Sequence, residues 1–498
     1  MKIQKIVISI LFLFLFMMVY AQKKYSESWE SLKQYTVPEW FRDAKFGIFI
    51  HWGVYSVPAY GSEWYPRFMY MDSVCVNTHG DVTSNKPSSI YEYHIKKYGP
   101  LDKFGYKDFI PMFKGEKFNP EEWVNLFVES GAKYVIPVAE HHDGFAMYAS
   151  NITEWNSLKM GPKRDVLGEL MSYCREKGLK TGASSHYAWN WHYFMRNDNT
   201  DVSDPRNFGL YGRMHKQNAD IEPDFLQLWW ARTKDLIDNY KPDILWFDFC
   251  LDRKEFAPYH KKLAAYYYNS GLKWNNDGCV LTNKNMFYDS YPEGVNVYDV
   301  ERGKLSDISK YPWQSETSIG ANSWGYVENW KSRPVDNIID DLLDVVSKNG
   351  NLLLNVGPKS DGTIPEDQIM CLKEIGHWLK INGEAIYGTR PWYIYGEGPT
   401  NISVGHHSES KNKKMTSDDI RFTSKGDILY ATVMEWPENG IVKIRSLGKK
   451  SEYSNIINIS AVELLGYGSL KWKQKMNELV VFLPKENKSK YAYSLKIY

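Results

Sequence analysis

At 498 residues the chain is too long for one ordinary domain and suits a large domain with a smaller companion. Its 61 basic and 60 acidic side chains leave a formal net charge of +1, which argues against a nucleic-acid partner or a polyanionic substrate and favours a neutral ligand. The five cysteines, Cys75, Cys174, Cys250, Cys279 and Cys371, outline neither a zinc site nor a disulfide framework, whereas 19 tryptophans suit stacking on the apolar faces of sugar rings.

Lys2 and Lys5 open the chain, Ile6 to Tyr20 is almost wholly apolar, and Ala21 precedes a polar run from Gln22, the pattern of a secretory signal peptide over residues 1–21. The apolar stretch is too short for a membrane anchor, and no later one could span a bilayer. The mature protein is therefore expected to be exported, periplasmic or secreted. Lys45 to Gly53 contains the first strand, apolar until His51 ends it. Val54 to Lys117 is rich in Tyr, Trp and Gly and weakly periodic, so it reads as extended loops, among them Gly61-Ser62-Glu63-Trp64-Tyr65.

From Asn119 a regular unit begins. Asn119 suits an N-cap, Pro120 the first helical position, and Glu121 and Glu122 the positive end of the helix dipole, while Trp123, Leu126 and Phe127 recur at helical spacing. Gly131 closes the helix, and the strand Tyr134 to Ala139 delivers Glu140-His141-His142-Asp143-Gly144-Phe145. The unit repeats from Asp165, through Leu167, Leu170, Met171 and Cys174, into a strand that leads to His186. A third copy, with Leu228, Ala231 and Leu236 as its stripe, leads into Ile244-Leu245-Trp246-Phe247 and Asp248. Such a continuous apolar run reads as a parallel strand buried on both faces. Shorter strands lead to Asn283-Lys284 and to Glu301-Arg302-Gly303, and a segment runs from Trp313 through Glu316 to Ile319. The last unit has Ile338, Leu342 and Val345 on one helix face and Leu352 to Val356 as strand.

Alternating strands and helices imply right-handed crossovers, and roughly eight strands imply an α/β fold with a (β/α)8-like barrel over residues 22–395. Beyond about Thr400 the runs Ile428–Val433, Ile441–Ile444, Ala461–Leu464 and Leu479–Phe482 are short and turn-punctuated, as in a C-terminal β-sandwich over 396–498. That tail shows no convincing cluster of acids or histidines.

The strand ends supply His51, His141, His142, His186, Asp248, Lys284 and Glu301, which a barrel brings to one face. Two carboxyls, several histidines and surplus tryptophan suit glycoside hydrolysis, in which one carboxylate faces the oxocarbenium-like centre and a second carboxyl protonates the leaving oxygen. Glu63 and the histidines can bind ring hydroxyls, and Trp64, Trp246 or Trp324 can cover the apolar face. An alternative is a metal-dependent hydrolase using His51, His141, His142, His186 and Asp248, although adjacent His141 and His142 on a strand would face opposite sides. A non-catalytic sugar-binding protein would leave two usable acids idle.

Several motifs together resemble glycoside hydrolase family 29, the retaining exo-α-L-fucosidases. They are Lys45 to Gly53, Ser62-Glu63-Trp64-Tyr65, His141-His142-Asp143-Gly144-Phe145, Trp246-Phe247-Asp248, Trp313 to Ser318, Trp324-Gly325-Tyr326 and Asn351 to Pro358. The resemblance implies that Asp248 forms a covalent fucosyl-enzyme resolved by water with net retention. It implies that His51, Glu63, Trp64, His141 and His142 bind fucose, that Trp246 helps close the pocket, and that no metal or cofactor is needed. The substrate would be a fucosylated oligosaccharide or glycoconjugate. The context of His186-Tyr187 departs from many members, leaving open which of the two meets the sugar. Lys284 stands where several relatives place an arginine, and can replace its hydrogen bond only as a point charge. The family acid directly after the tryptophan is here Gln314, so Glu316 is not its equivalent, and Glu301 is the expected acid/base with Glu316 as its rival.

Overall fold

The computed structural model describes residues 24–285, 289–454, 456–485 and 489–498, so the expected signal peptide lies outside the described residues. Eight parallel strands close a barrel: β1 (Phe46–Ile50), β2 (Tyr134–Glu140), β3 (Lys180–Ser185), β4 (Ile244–Phe247), β5 (Val280–Asn283), β6 (Val297–Glu301), β7 (Trp313–Ser318) and β8 (Gly350–Val356). Each pairs with the next in sequence, and β8 pairs with β1. The segment from Trp313 is thus a full barrel strand. Phe49, Tyr134, Ile136, Val138, Ile244, Trp246, Val280, Val297 and Leu353 fill the interior, while a larger apolar layer lies between strands and helices.

Local chemistry sets the helices. In α1 (Pro120–Glu129) the Asn119 side chain accepts from the N–H groups of Glu121 and Glu122, and in α2 (Val166–Glu176) Asp165 accepts from Gly168. The helix α3 (Pro223–Tyr240) is rotated relative to the expected stripe. Its buried positions include Phe225, Trp229, Arg232 and Leu236, while Leu228 and Ala231 are only half-buried. Arg232 belongs to the core because it has a buried partner, which hydrophobic periodicity cannot register. Two further helices, α4 (Ala257–Gly271) and α5 (Val335–Ser347), cross over before α6 (Glu366–Asn382) leaves the barrel.

The stretch over 54–117 is more regular than expected. It holds a small antiparallel pair, Cys75–Val76 with Val82–Ser84, and a helix over Ser89–Tyr98 capped by the Ser88 side chain. Tyr65, His94, Tyr98 and Phe104 each pack edge to face on Phe109, so an aromatic cluster does the work of an aliphatic stripe.

The C-terminal part contains a six-stranded antiparallel sheet and a three-stranded one over a separate apolar core. The first sheet runs in the order β9 (Arg390–Glu397), β10 (Ile420–Lys425), β11 (Ile428–Val433), β16 (Tyr493–Ile497), β13 (Val462–Leu464) and a short Gly468–Ser469 edge. The second is β12 (Ile441–Ile444), β15 (Leu479–Phe482) and β14 (Lys471–Gln474). Strand β9 runs across the boundary expected at 395/396. Among the described residues no helix is long and apolar enough to cross a membrane.

Candidate active site

Strand register brings the site together. Ser185 of β3 lies opposite Phe247 of β4, which lies opposite Asn283 of β5, so the next residues, His186, Asp248 and Lys284, emerge side by side. Glu301 and Glu316 are likewise paired across β6 and β7. Two residues past Asp248 the chain turns sharply at Cys250, whose φ of 81° is unfavourable for a residue with a Cβ, and Phe249 joins the wall of the cavity.

The cavity measures about 270 Å³, near the lower end for small-molecule sites. All eleven residues expected at the site line it: His51, Glu63, Trp64, His141, His142, His186, Trp246, Asp248, Lys284, Glu301 and Trp324. Glu316 does as well, and so do Thr78, His79, Phe249 and His407, which the sequence reading passed over.

Lys284 is the electrostatic centre. Its Nζ lies 2.8 Å from Asp248 Oδ1, 2.8 Å from Glu301 Oε2 and 2.5 Å from Glu316 Oε1. One ammonium therefore bridges three carboxyl groups. Burial opposes ionisation of Asp248, but the Lys284 charge and the His142 and His186 contacts outweigh it and hold the carboxyl well below the usual range. Burial is likewise overcome by Lys284 at Glu301, whose carboxyl is lowered. Glu316 goes the other way. Burial, reinforced by Asp299, Glu301 and Asp248, raises it well above the usual range despite Lys284. Below it, burial pushes Asp299 up to about 6, with its Oδ2 accepting from Trp246 Nε1 at 3.0 Å and from Gln314.

The histidines are held in distinct ways. Burial pushes His186 down to about 4, so the neutral ring donates from Nδ1 to Asp248 Oδ2 at 3.0 Å and accepts from Ser184 at Nε2. His142 Nε2 lies 3.1 Å from the same Oδ2, and its Nδ1 donates to the His186 carbonyl at 2.7 Å. Asp248 is thus gripped at both oxygens. His51 donates from Nδ1 to Asn355 Oδ1 at 2.7 Å, while Asn355 Nδ2 reaches Ser318 and the Trp324 carbonyl. The Asn351–Pro358 motif thereby couples β8 to the cavity wall. Glu63 accepts from the Trp324 N–H and from Ser323. The Nδ1 of buried His141 has no hydrogen-bond partner among the described residues, and such an orphan facing a cavity suits a ligand hydroxyl.

His141 and His142 lie just past the end of β2 rather than on it, so both reach the same cavity. Gly144, at φ 83°, closes their turn, where a Cβ would stand 2.5 Å from the Leu210 carbonyl. The turn is anchored from outside the cavity. Arg232 Nε donates to Glu140 Oε2 at 2.9 Å, its Nη2 donates to the Gly144 carbonyl at 2.8 Å, and its guanidinium lies over the Tyr187 ring. Tyr187 belongs to this support and stacks on Phe225, which leaves His186 as the member of that pair in the cavity.

Two groups of side chains have metal-ligand proximity, His51 with His141 and His186, and His142 with His186 and Asp248. In the second group the ring nitrogens already meet Ser184, the His186 carbonyl and Asp248, and the Lys284 ammonium holds the carboxylate a cation would need, while the first group offers no carboxylate. The arrangement favours two-carboxylate chemistry over a metal hydrolase.

The family model for alpha-L-fucosidase matches residues 13–384, and that for the alpha-L-fucosidase C-terminal domain matches 412–498. The chain is 31% identical to the tissue alpha-L-fucosidase of Rattus norvegicus over 93% of its own length and 89% of that protein's. It is 30% identical to the human plasma alpha-L-fucosidase, again over 93% and 89%. Among solved structures, the Thermotoga maritima alpha-fucosidase in complex with fucose aligns with a TM-score of 0.72 and 31% identity, covering 95% of this chain and 100% of that one. With the barrel, the sandwich and the polar cavity already in place, these matches show that the chain belongs to the alpha-L-fucosidase family.

Proposed function

We propose that Asp248 is the nucleophile and Glu301 the general acid/base of this retaining alpha-L-fucosidase, acting on terminal α-L-fucose of oligosaccharides or glycoconjugates. The observation that carries the reading is the shared Lys284 ammonium, 2.8 Å from an oxygen of each carboxyl. Two such contacts through one atom keep those oxygens less than about 6 Å apart, which suits the roughly 5 to 5.5 Å of a carboxylate that attacks directly better than the roughly 6.5 to 9.5 Å that leaves room for a water. Asp248, held ionised, attacks the anomeric carbon as protonated Glu301 gives its proton to the aglycone oxygen. The Glu301 carboxylate so formed, stabilised by Lys284, then accepts a proton from the water that opens the fucosyl ester, which frees Asp248 and restores the α configuration.

Glu301 lies nearer the mouth, with 13% of its side chain exposed against 1% for Glu316, and a departing aglycone leaves by the mouth. A second reading makes Glu316 the acid, favoured by the burial that raises its carboxyl well above the usual range.

His51, His141 and Glu63 suit the sugar hydroxyls, with Trp64, Trp246 and Trp324 against its carbon faces. His142 and His186 act on the sugar side of Asp248. The signal-like segment over 1–21 supports export to the periplasm or the medium.

The test is D248G on an aryl fucoside. Turnover is expected to fall by several orders of magnitude, and azide to rescue it with β-fucosyl azide as product. An α-configured azide, or near-normal activity, removes Asp248 from the role. E301A and E316A, compared on aryl fucosides with good and poor leaving groups, then identify the acid as the one whose loss penalises poor leaving groups.

A further inference from the structure

The segment between the two family matches, residues 385–411, includes a turn that reaches back over the barrel. We propose that this turn, Gly405 to Glu409, is a working part of the active site and that His406 is a positioning residue for Glu301. The inference rests on the acid/base reading of Glu301.

The contacts fall on Glu301 and its neighbours. The Glu301 N–H donates to His406 Nδ1 at 3.0 Å, and the Glu301 carbonyl accepts from the His407 N–H at 2.8 Å. Because His406 Nδ1 is an acceptor, its proton sits on Nε2, 2.8 Å from the Tyr298 hydroxyl on the same strand. The ring thus straps Glu301 to its own strand. On either side, Glu409 N–H donates to the Arg302 carbonyl and Gly405 N–H to the Lys304 carbonyl, both at 2.9 Å. The approach is close enough that a Cβ on Gly303 would stand 1.9 Å from the Gly405 carbonyl. Glu409 locks the turn in place through Arg302 at 2.6 Å, Arg333 at 3.2 Å and Thr317 at 2.6 Å.

Gly405 takes its φ of 87° freely, whereas the φ of 54° at His407 carries a conformational cost. That cost places His407 in the cavity wall, with Nε2 3.9 Å from Glu301 Oε2. A general acid must stand within hydrogen-bond reach of the leaving oxygen, so a backbone fixed from both sides is what this carboxyl needs. The titratable groups facing Glu301 are Lys284, Asp248, Glu316, Asp299, His406 and His407. Only the two histidines come from outside the barrel.

The test uses the full chain with H406L, H406N and E301Q, assayed on phenyl fucoside and 2,4-dinitrophenyl fucoside and across pH. Asparagine keeps an acceptor near the place of Nδ1, and leucine does not. H406L is expected to lower kcat/KM on the phenyl fucoside by about 10- to 100-fold, the order expected of a misplaced catalytic group. The loss on the dinitrophenyl substrate should be far smaller, the alkaline limb of the pH profile should shift, and H406N should recover most of the activity. Equal losses on both substrates, an unmoved pH profile, or failure of H406N to rescue would overturn the role. If H406L does not fold, H406A is judged by the same comparison. E301Q separates the two readings: if it shows no leaving-group dependence the acid/base assignment falls, and if it shows one that H406L lacks, only the positioning role falls.

Discussion

Lys284→Met removes the cation that three carboxyl groups share. At 2.8 Å a unit charge pair is worth about 6 kcal/mol at an effective dielectric of 20, before the opposing desolvation of the ammonium. Breaking such a buried pair typically costs about 3–5 kcal/mol. Spread over Asp248, Glu301 and Glu316, this leaves roughly 1–2 kcal/mol at each, close to a tenfold change in each ionisation equilibrium. The sign is common to all three, because losing a neighbouring cation disfavours every ionised carboxylate. In the proposed mechanism Asp248 must be ionised to attack, and Glu301 must carry a proton to release the aglycone. Both limbs of the kcat/KM profile on an aryl fucoside should therefore move to higher pH together, by about one unit. K284R, which keeps the charge, should leave them near the wild-type position even if its height falls. Stability follows the same linkage. The depressed Asp248 carboxyl stabilises the fold above the ordinary aspartate range, and that contribution is lost as pH falls through its folded value. The denaturant stability gap between K284M and wild type should accordingly be full at neutral pH and narrow in acid. A profile that loses height without moving would refute the reasoning, because Lys284 would then be binding substrate rather than setting charge.

His141→Ala removes the cavity nitrogen that lacks a protein partner, and kcat/KM should fall by about 10- to 100-fold, the effect of one buried hydrogen bond, with the thermal midpoint little changed. Arg232→Met leaves Glu140 buried without its cation, and should cost about 3–5 kcal/mol by denaturant titration while slowing turnover through the loosened His141-His142 turn. Exhaustive chelation should leave activity on an aryl fucoside unchanged; a loss restored by zinc would revive the metal-hydrolase reading.

The barrel and its rim were legible because one physical rule marks both. A strand buried on both faces is apolar in β1 and β4, so the first polar residue after Ile50 or Phe247 stands at the barrel mouth, while the ends of β3 and β5, which close on Ser185 and Asn283, are marked by their place in the repeated unit. What escaped the sequence reading lacks a local signal. Arg232 sits on a helix face that its own charge disguises, and only the distant Glu140 makes its burial tolerable. His406 and His407 follow a turn in a region with no periodic pattern, and their place depends on how the C-terminal sheets dock. Strand alternation sends Gln314 and Glu316 into the barrel, whereas Thr317 meets Glu409 outside it. That alternation could have placed Glu316 at the cavity had the segment from Trp313 been read as a strand.

The charge balance explains why so polar a cavity suits a neutral sugar. Three carboxyls surround one ammonium, and burial, reinforced by neighbouring acids, raises the deepest of them, Glu316, well above the usual carboxyl range. Burial also lowers His51, His141 and His186, so these rings add no positive charge near neutrality. With Glu301 carrying the proton it delivers in the proposed mechanism, the anomeric carbon faces one ionised carboxylate, Asp248, whose charge Lys284 shares, in a site screened from solvent. A neutral fucoside gains little from that field in the ground state. As the glycosidic bond breaks the sugar becomes cationic, and the same field then acts on a full developing charge, so its stabilisation falls on the transition state rather than on binding.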